Sequence, residues 1–496
     1  MKSSQVNELS RRAAAGFSWL FSGAVIQSLS AILVLSVLAR LIEPIEFGRF
    51  GSAMIIVGLF QLISRTGMGA AIIHFEDITN NLEYTANFLT LINGTFMMLI
   101  LFIFADNISQ MLSIAGGADL IKILSVSCIL AAISEIPTAI LMRQLNYKLI
   151  ARIRLTSFIF GYGLPSILMA FLDFGVWALV GGILGQLFLT AALLLSVTKM
   201  VWLFKILSSD VKNLIRYSTG ITVTNIVNYI ATQADNFIIA KYLGANALGI
   251  YGRAYSILMT PVSVLGTTLD TTIFPALARI NQNTDLQSKV IFNLTYATVL
   301  VILPVSVVMV ISAEEIVLVV LGPNWLEVIP VFQILALSMA FRSGYKVFDS
   351  YCKATGKVYE LAIRHKLYMI LVVAGCFIGK NYGLMGVAYA ITTANILHYA
   401  AMAQLSFRNS HYTIFDFLKI YISVGTILLP AANVGYQVRK FLIHSNYGLF
   451  TTLTLTLMAY SAILVICLFV CRKFLPNDLR IFISQRINFD IKKIKI

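Results

Sequence analysis

The chain has 496 residues, 58% of them hydrophobic and only 12% charged, with a mean hydropathy of +0.85. A soluble globular chain carries roughly 25% charged residues, so this one cannot cover a water-facing surface and reads as an all-α polytopic membrane protein. At about 20 apolar residues per span plus short connections, the length accommodates about fourteen helices, which leaves no sizeable soluble domain and weighs against ATP-driven pumps, two-component receptors and membrane enzymes with large catalytic ectodomains.

Apolar runs broken by Gly, Pro, Asn and charge predict spans near 13–42, 47–73, 84–104, 119–141, 152–172 and 174–197. A second set follows near 214–242, 247–275, 289–312, 325–351, 360–380 and 382–405, with two more at 415–437 and 449–471. Arg11 and Arg12 precede the first run. No A-x-A cleavage site follows and the run is too long for a signal peptide, so it is expected to remain as the first span. The expected domains are a six-helix lobe over 1–200, a second over 201–408, two additional spans over 409–471 and a basic tail over 472–496. That tail mixes Arg480, Arg486 and Lys492 with Ile481, Phe482 and Phe489, a pattern suited to an anionic leaflet surface.

The formal net charge of +15 would point to nucleic acid in a soluble protein. In a polytopic one it tests topology, because cytoplasmic loops concentrate Lys and Arg. An even span count puts both termini on one side. That side receives Lys2, Arg11 and Arg12, the loops holding Arg143 to Arg154, Lys199 to Arg216, Arg279 and Lys289, Lys353 to Lys366, Arg408 and Lys419, and the tail from Arg472. The opposite side holds only Arg40, Arg49, Lys241, Arg253, Lys380, Arg439 and Lys440. Both termini are therefore expected in the cytoplasm, and no nucleic acid is needed to explain the charge. Cys128, Cys352, Cys376, Cys467 and Cys471 lie in or beside apolar runs without metal-ligand spacing and read as small buried hydrophobes.

At an offset of 201 residues the chain resembles itself: Ala39-Arg40-Leu41-Ile42 through Phe47-Gly48-Arg49-Phe50-Gly51 aligns with Ala240-Lys241-Tyr242-Leu243 through Leu248-Gly249-Ile250-Tyr251-Gly252. Both copies read as span, tight turn, span. A weaker echo pairs Phe174-Gly175 with Tyr382-Gly383. Six spans per copy give both the same orientation, and such parallel repeats are typical of transporters with a site between lobes.

Charges within spans are the most informative positions, since each costs about 2.5–3.5 kcal/mol at a helix centre on insertion scales. Arg65, Lys122, Arg342 and Lys346 remain after the loop assignment. Lys122 lies near a span end, where it can snorkel to the interface. Arg342 and Lys346 share a helical face with Asp349. Two readings stay open: pairing with acids such as Glu135, Asp235 or Asp270, or a cationic cavity lining for an anionic substrate. Asn225, Asn228, Tyr229, Thr232, Gln233 and Asp235 form a polar stripe along the seventh span. It suits either a hydroxyl-rich substrate such as a glycan or hydrogen bonds between helices. Prolines at 137, 165, 261, 304 and 430 would kink their spans.

No G-x-x-x-x-G-K-[ST] loop is present, which argues against direct ATP use. The histidines His74, His365, His398, His411 and His444 are scattered, and there is neither HExxH nor D-x-D. We therefore expect no catalytic residues, no metal and no cofactor, and a protein that is not an enzyme.

Ala14-Ala15-Gly16-Phe17-Ser18-Trp19, Leu38-Ala39-Arg40-Leu41, Phe47-Gly48 and Gly67-Met68-Gly69-Ala70-Ala71-Ile72-Ile73 resemble the start of the Wzx-type polysaccharide flippases, especially the colanic acid exporter branch. The likeness continues through Asp235-Asn236-Phe237-Ile238-Ile239, Leu248-Gly249-Ile250-Tyr251, Arg253-Ala254-Tyr255, Phe274-Pro275-Ala276-Leu277, Gly322 to Trp325 and Phe341-Arg342-Ser343, to about residue 405. It implies the multidrug/oligosaccharidyl-lipid/polysaccharide exporter fold, with two six-helix lobes, a cavity and alternating access. It also implies undecaprenyl-diphosphate-linked repeat units as cargo, carried across a bacterial inner membrane for O-antigen, capsule or exopolysaccharide assembly alongside polysaccharide polymerase machinery. Arg65, Arg342 and Lys346 would then face the diphosphate and the polar stripe the sugars. Coupling to protons or sodium has Asp235, Glu135 and Asp270 as candidates, and Arg65 stands where that branch often carries an acid. Alternatives are export of drugs or of the peptidoglycan precursor by the same fold. An integral-membrane glycosyltransferase or polymerase would need a large periplasmic loop with acidic catalytic residues, which the sequence lacks.

Overall fold

The structure, a computed structural model, describes residues 3–75, 79–198, 211–279, 284–355, 357–407 and 412–470, with side chains described outside 3–21, 263–286 and a few single positions. The basic tail, Cys471 and the side chain of Asp270 lie outside the described residues. Among the described residues every regular element is a helix, as expected where backbone polar groups must be satisfied within each span. Among the described residues, eleven helical stretches are long and apolar enough to cross a membrane. The stretch Tyr359–Ser406 holds two helices. The region expected at 214–242 is also helical, but its Asn, Gln, Thr and charged residues keep it out of that apolar set.

The described chain divides into two units. The first comprises residues up to Arg253 with Val320–Asn324. Its helices are α1 (Ser3–Leu41), α2 (Pro44–Ser64), α3 (Met68–His74), α4 (Asn80–Ile103), α5 (Ala105–Met111), α6 (Gly117–Leu124), α7 (Val126–Arg143), α8 (Tyr147–Thr156), α9 (Leu164–Phe171), α10 (Val176–Thr198), α11 (Val211–Tyr242) and the start of α12 (Gly244–Arg279). A π-helical turn, Ser157–Gly163, joins α8 to α9. Pro44 sets the first turn of α2, where a missing N–H has no cost. Thr79 caps α4 by accepting from the Leu82 amide at 3.3 Å. A core of Leu120, Ile121, Leu124 and Cys128 packs with Ala53 and Val57 of α2, Leu101 of α4 and Val180 of α10.

Within this unit the two copies of the repeat touch. A Cβ on Gly48 would stand 1.6 Å from the Ala245 carbonyl oxygen, and one on Gly249 would stand 2.0 Å from that of Pro44. Gly249 aligns with Gly48 and Ala245 with Pro44, so one contact is the repeat of the other. Two backbones this close require glycine at both positions. The weaker echo has a structural counterpart as well, since Gly175 and Gly383 both take positive φ, 53° and 69°.

The second unit comprises Ala254–Val319 and the chain from Trp325. It holds the remainder of α12, α13 (Thr284–Ile311), most of α14 (Ala313–Val320), α15 (Val328–Ala354), α16 (Val358–Gly379), α17 (Gly383–Phe407), α18 (Ile414–His444) and α19 (Leu449–Val470). Thr413 and Asp416 form a capping box that starts α18. The last two helices are fastened by polar contacts: the Tyr460 hydroxyl donates to the Pro304 carbonyl at 3.0 Å, and Arg439 donates from Nε to Glu315 at 2.7 Å and from Nη2 to Glu314 at 2.7 Å. Pro137, Pro304 and Pro430 lie inside continuous helices. Pro165 instead sits at the N-terminus of α9. Cys128, Cys352 and Cys376 are buried and Cys467 partly so, all as free thiols.

Candidate functional site

The expected continuous second span is broken at its candidate cation. The first segment, α2, ends at Ser64, and Arg65 is its cap (φ −70°, ψ −17°). Thr66 and Gly67 then take successive positive φ values of 58° and 65° before α3 resumes. Two left-handed residues in a row cannot continue a right-handed helix. The break is stabilised from α4: Asn93 Nδ2 donates to the Ile63 carbonyl at 2.7 Å, and Thr66 Oγ1 lies 3.3 Å from Thr90 Oγ1. Gly67 also allows a close approach to α11, since a Cβ there would stand 3.0 Å from the Ser218 carbonyl.

The side chain of Arg65 thereby enters a cavity of about 660 Å³ inside the first unit, within the size range of small-ligand clefts. Among the described residues no carboxylate lies within ion-pairing distance of its guanidinium. Glu135 of α7 lines the same cavity, accepts a hydrogen bond from the Gly69 amide and lies within electrostatic reach of Arg65. Arg253 of α12 closes another side with its guanidinium 4.5 Å above the Phe47 ring, a cation–π contact. On α8, Arg154 also lies within electrostatic reach of Arg65.

The polar wall comes from α11. Asn225, Tyr229, Gln233 and Asn236 recur at helical spacing and all line the cavity. Tyr229 donates to the carbonyls of Met54 at 3.2 Å and Ile55 at 3.0 Å. Asn236 Nδ2 donates to Gln233 Oε1 at 2.6 Å. Of the expected stripe, Asn225, Tyr229 and Gln233 are thus brought to the cavity, whereas Asn228 and Thr232 do not line it. Asp235 is buried on another side of the helix, where its Oδ2 accepts from the Tyr251 hydroxyl at 2.7 Å and its Oδ1 from the Asn236 amide at 2.9 Å.

Arg342 and Lys346 belong to the second unit. Arg342 lies over the Tyr255 ring, 4.9 Å from its centroid, and donates to the Tyr255 hydroxyl. Asp349, on the same stripe, pairs with Lys353 at 2.6 Å and His365 at 3.0 Å. The sequence does not place Arg154, Arg253 or Asn236 beside Arg65, since the charge count assigns Arg253 and Arg154 to loops; the i, i+4, i+8 series from Asn225 through Tyr229 to Gln233 within the expected stripe is the part that forms the wall.

The arrangement places fixed positive charge beside amide and phenol groups in a water-accessible cleft. It can hold an anion through arginine donors and a hydroxyl-bearing group through the α11 amides.

The chain matches the family described as "Polysaccharide biosynthesis protein" over residues 37–330. It is 28% identical over 328 residues to the succinoglycan biosynthesis transport protein ExoT of Rhizobium meliloti (strain 1021), covering 65% of each chain. It is 23% identical over 434 residues to the lipopolysaccharide biosynthesis protein WzxC of Escherichia coli (strain K12), covering 86% of this chain and 88% of that one. Among solved structures, the lipid II flippase MurJ in an inward closed conformation superposes with a TM-score of 0.74 at 15% identity, over 93% of this chain and 99% of that one. An inward-facing multidrug resistance MATE transporter gives 0.59 at 13% identity, over 83% and 94%. At these identities the two structures speak for the fold. The match across residues 37–330 makes the chain a member of the polysaccharide biosynthesis protein family.

Proposed function

We propose that this protein is a flippase that moves undecaprenyl-diphosphate-linked oligosaccharide repeat units from the cytoplasmic to the periplasmic leaflet of a bacterial inner membrane, for surface polysaccharide assembly. Its relatives are named as transport or biosynthesis proteins for succinoglycan and lipopolysaccharide. The observation that carries the reading is Arg65, held at a helix break without a carboxylate partner and facing the polar wall of α11. A lipid-linked diphosphate beside a glycan presents the complementary chemistry: an anion for the arginines and hydroxyls for the amides.

The working architecture is fourteen spans, as two six-helix lobes over 1–200 and 201–408 with two further spans, both termini in the cytoplasm and transport by alternating access. Reporter fusions at 145 and 315 should give opposite signals, and equal signals would overturn this topology. The protein acts as a transporter, not an enzyme, with protons or sodium as coupling ion and polysaccharide polymerase machinery as neighbour.

A deletion strain tests the cargo. Loss of surface polysaccharide with normal growth, restored by the wild-type gene, is the expected result. Lethality with halted wall synthesis would replace the cargo by the peptidoglycan precursor.

A further inference from the structure

Gln61 of α2 lies four residues before Arg65, on the same helical face and about 6 Å along the axis, and it lines the same cavity. Its Nε2 is buried and has no hydrogen-bond partner among the described residues. The contacts of the second span with α11 fix what stands opposite. A Cβ on Gly67 would meet Ser218 and Thr222, whereas one on Gly58 would meet Tyr229. The two helices therefore run antiparallel, and Gln61 falls at the level of Asn225. Asn225 lines the cavity too, and its side chain makes no hydrogen bond to any described residue. The remaining polar groups of the wall are already engaged: the Tyr229 hydroxyl donates to two carbonyls of α2, and Gln233 Oε1 accepts from Asn236.

An unpaired buried N–H carries a desolvation cost that a bonded one avoids. Turning Gln61 about its last side-chain torsion brings this N–H toward the cavity and breaks no bond within the protein. A primary amide offers two donors and one acceptor, the complement of the oxygen substituents of a sugar. The spacing selects which sugar. In a glycosyl diphosphate the first ring is bonded directly to a phosphate oxygen, so a phosphate at Arg65 brings that ring's substituents within one helical turn, and later sugars lie farther away. We propose that Gln61 and Asn225 form a subsite for the sugar joined to the diphosphate, with Gln61 donating from Nε2 to an oxygen substituent of that ring. This rests on the flippase reading and deepens it. Arg65 answers the charge common to every lipid diphosphate, and the amide pair adds a requirement for a sugar, so the cavity tells a loaded lipid carrier from a bare one.

The test uses the full chain in nanodiscs, titrated with undecaprenyl diphosphate and with the same lipid carrying one glucose, one galactose or one N-acetylglucosamine, with binding followed by native mass spectrometry. We expect at least one glycosylated lipid to bind more tightly than the bare diphosphate. Gln61→Met keeps the length of the side chain and removes the donor, so it should reduce that preference about three- to tenfold, whereas Arg65→Ala should weaken all four lipids. Because Gln61 gives up no bond within the protein, the lipid-free thermal midpoint of Gln61→Met should stand at or above that of wild type. A clear fall in that midpoint would assign the amide to holding the fold and overturn the subsite. Wild type that binds the lipids without preferring a sugar, or a preference that survives Gln61→Met, overturns the subsite alone and leaves the flippase reading in place. Wild type that binds none of the four lipids overturns both.

Discussion

The Tyr229 hydroxyl occupies the space that a side chain at Gly58 would fill: a Cβ on Gly58 would stand 2.3 Å from Tyr229 Oη and 3.2 Å from Cζ. The same hydroxyl is held by two carbonyls of α2, so the polar wall is locked to the helix that presents Arg65. Gly58→Ala should therefore lower the thermal midpoint of the purified protein, at roughly the 1–3 kcal/mol of overpacking. Tyr229→Phe in the same chain should recover part of that loss. Equal midpoints for the single and double variants would show that the contact does not couple the two helices.

Removing the guanidinium of Arg65 should impair function without unfolding the protein, because no ion pair is broken. Charged hydrogen bonds contribute roughly 1.5–3 kcal/mol each, so Arg65→Ala should reduce surface polysaccharide about tenfold or more at unchanged protein level. Arg65→Lys should restore part of it, the remainder measuring bidentate geometry. Normal polysaccharide from Arg65→Ala would remove the residue from the cargo site.

Arg439 and Glu315 give the opposite pattern. Glu315 is 1% exposed, and breaking a buried pair by removing one partner costs about 3–5 kcal/mol. Arg439→Met or Glu315→Gln should each lower the thermal midpoint sharply, and Arg439→Met combined with Glu315→Gln should lie above either single variant. A double variant at the sum of the two losses would show that the pair is not coupled.

The repeat crossing predicts matched effects at positions far apart in sequence. Gly48→Ala and Gly249→Ala each drive a methyl group into a backbone carbonyl, whereas Gly425→Ala meets nothing within 4 Å. The first two should depress protein level and thermal midpoint to a similar degree, and the third should leave both near wild type. Wild-type stability in either of the first two would refute the reciprocal contact.

The sequence carried the helical class because apolar runs are long and uninterrupted by charge, and it carried the repeat because close helix crossings demand glycine in both copies. It carried Arg65 and Glu135 as charges at membrane depth, and these share a cavity. It did not carry the helix break at Thr66, whose positive φ rests on support from α4 rather than on a local turn signal. The single polar stripe spreads over more than one face of α11 for the same kind of reason: its Asn, Gln and Thr positions look equivalent until the neighbours of each face are known. Arg253 and Arg154 are hidden by counting basic residues as loop markers, a rule that reads totals and is blind to which single side chain comes near another.

The break in the second span makes the position of its cation a property of the backbone, not of a partner. An arginine held by a carboxylate must surrender that bond before it can take a phosphate, and the lost bond then competes with every bound anion. Glu135 lies within electrostatic reach of Arg65 but not at ion-pairing distance, so an anion held by Arg65 in the proposed cargo site would displace water rather than a bonded carboxylate. For a carrier, whose turnover depends on letting go as much as on holding, residence in the proposed site would then be set by how the walls move and by the field of Glu135, not by breaking and remaking an ion pair.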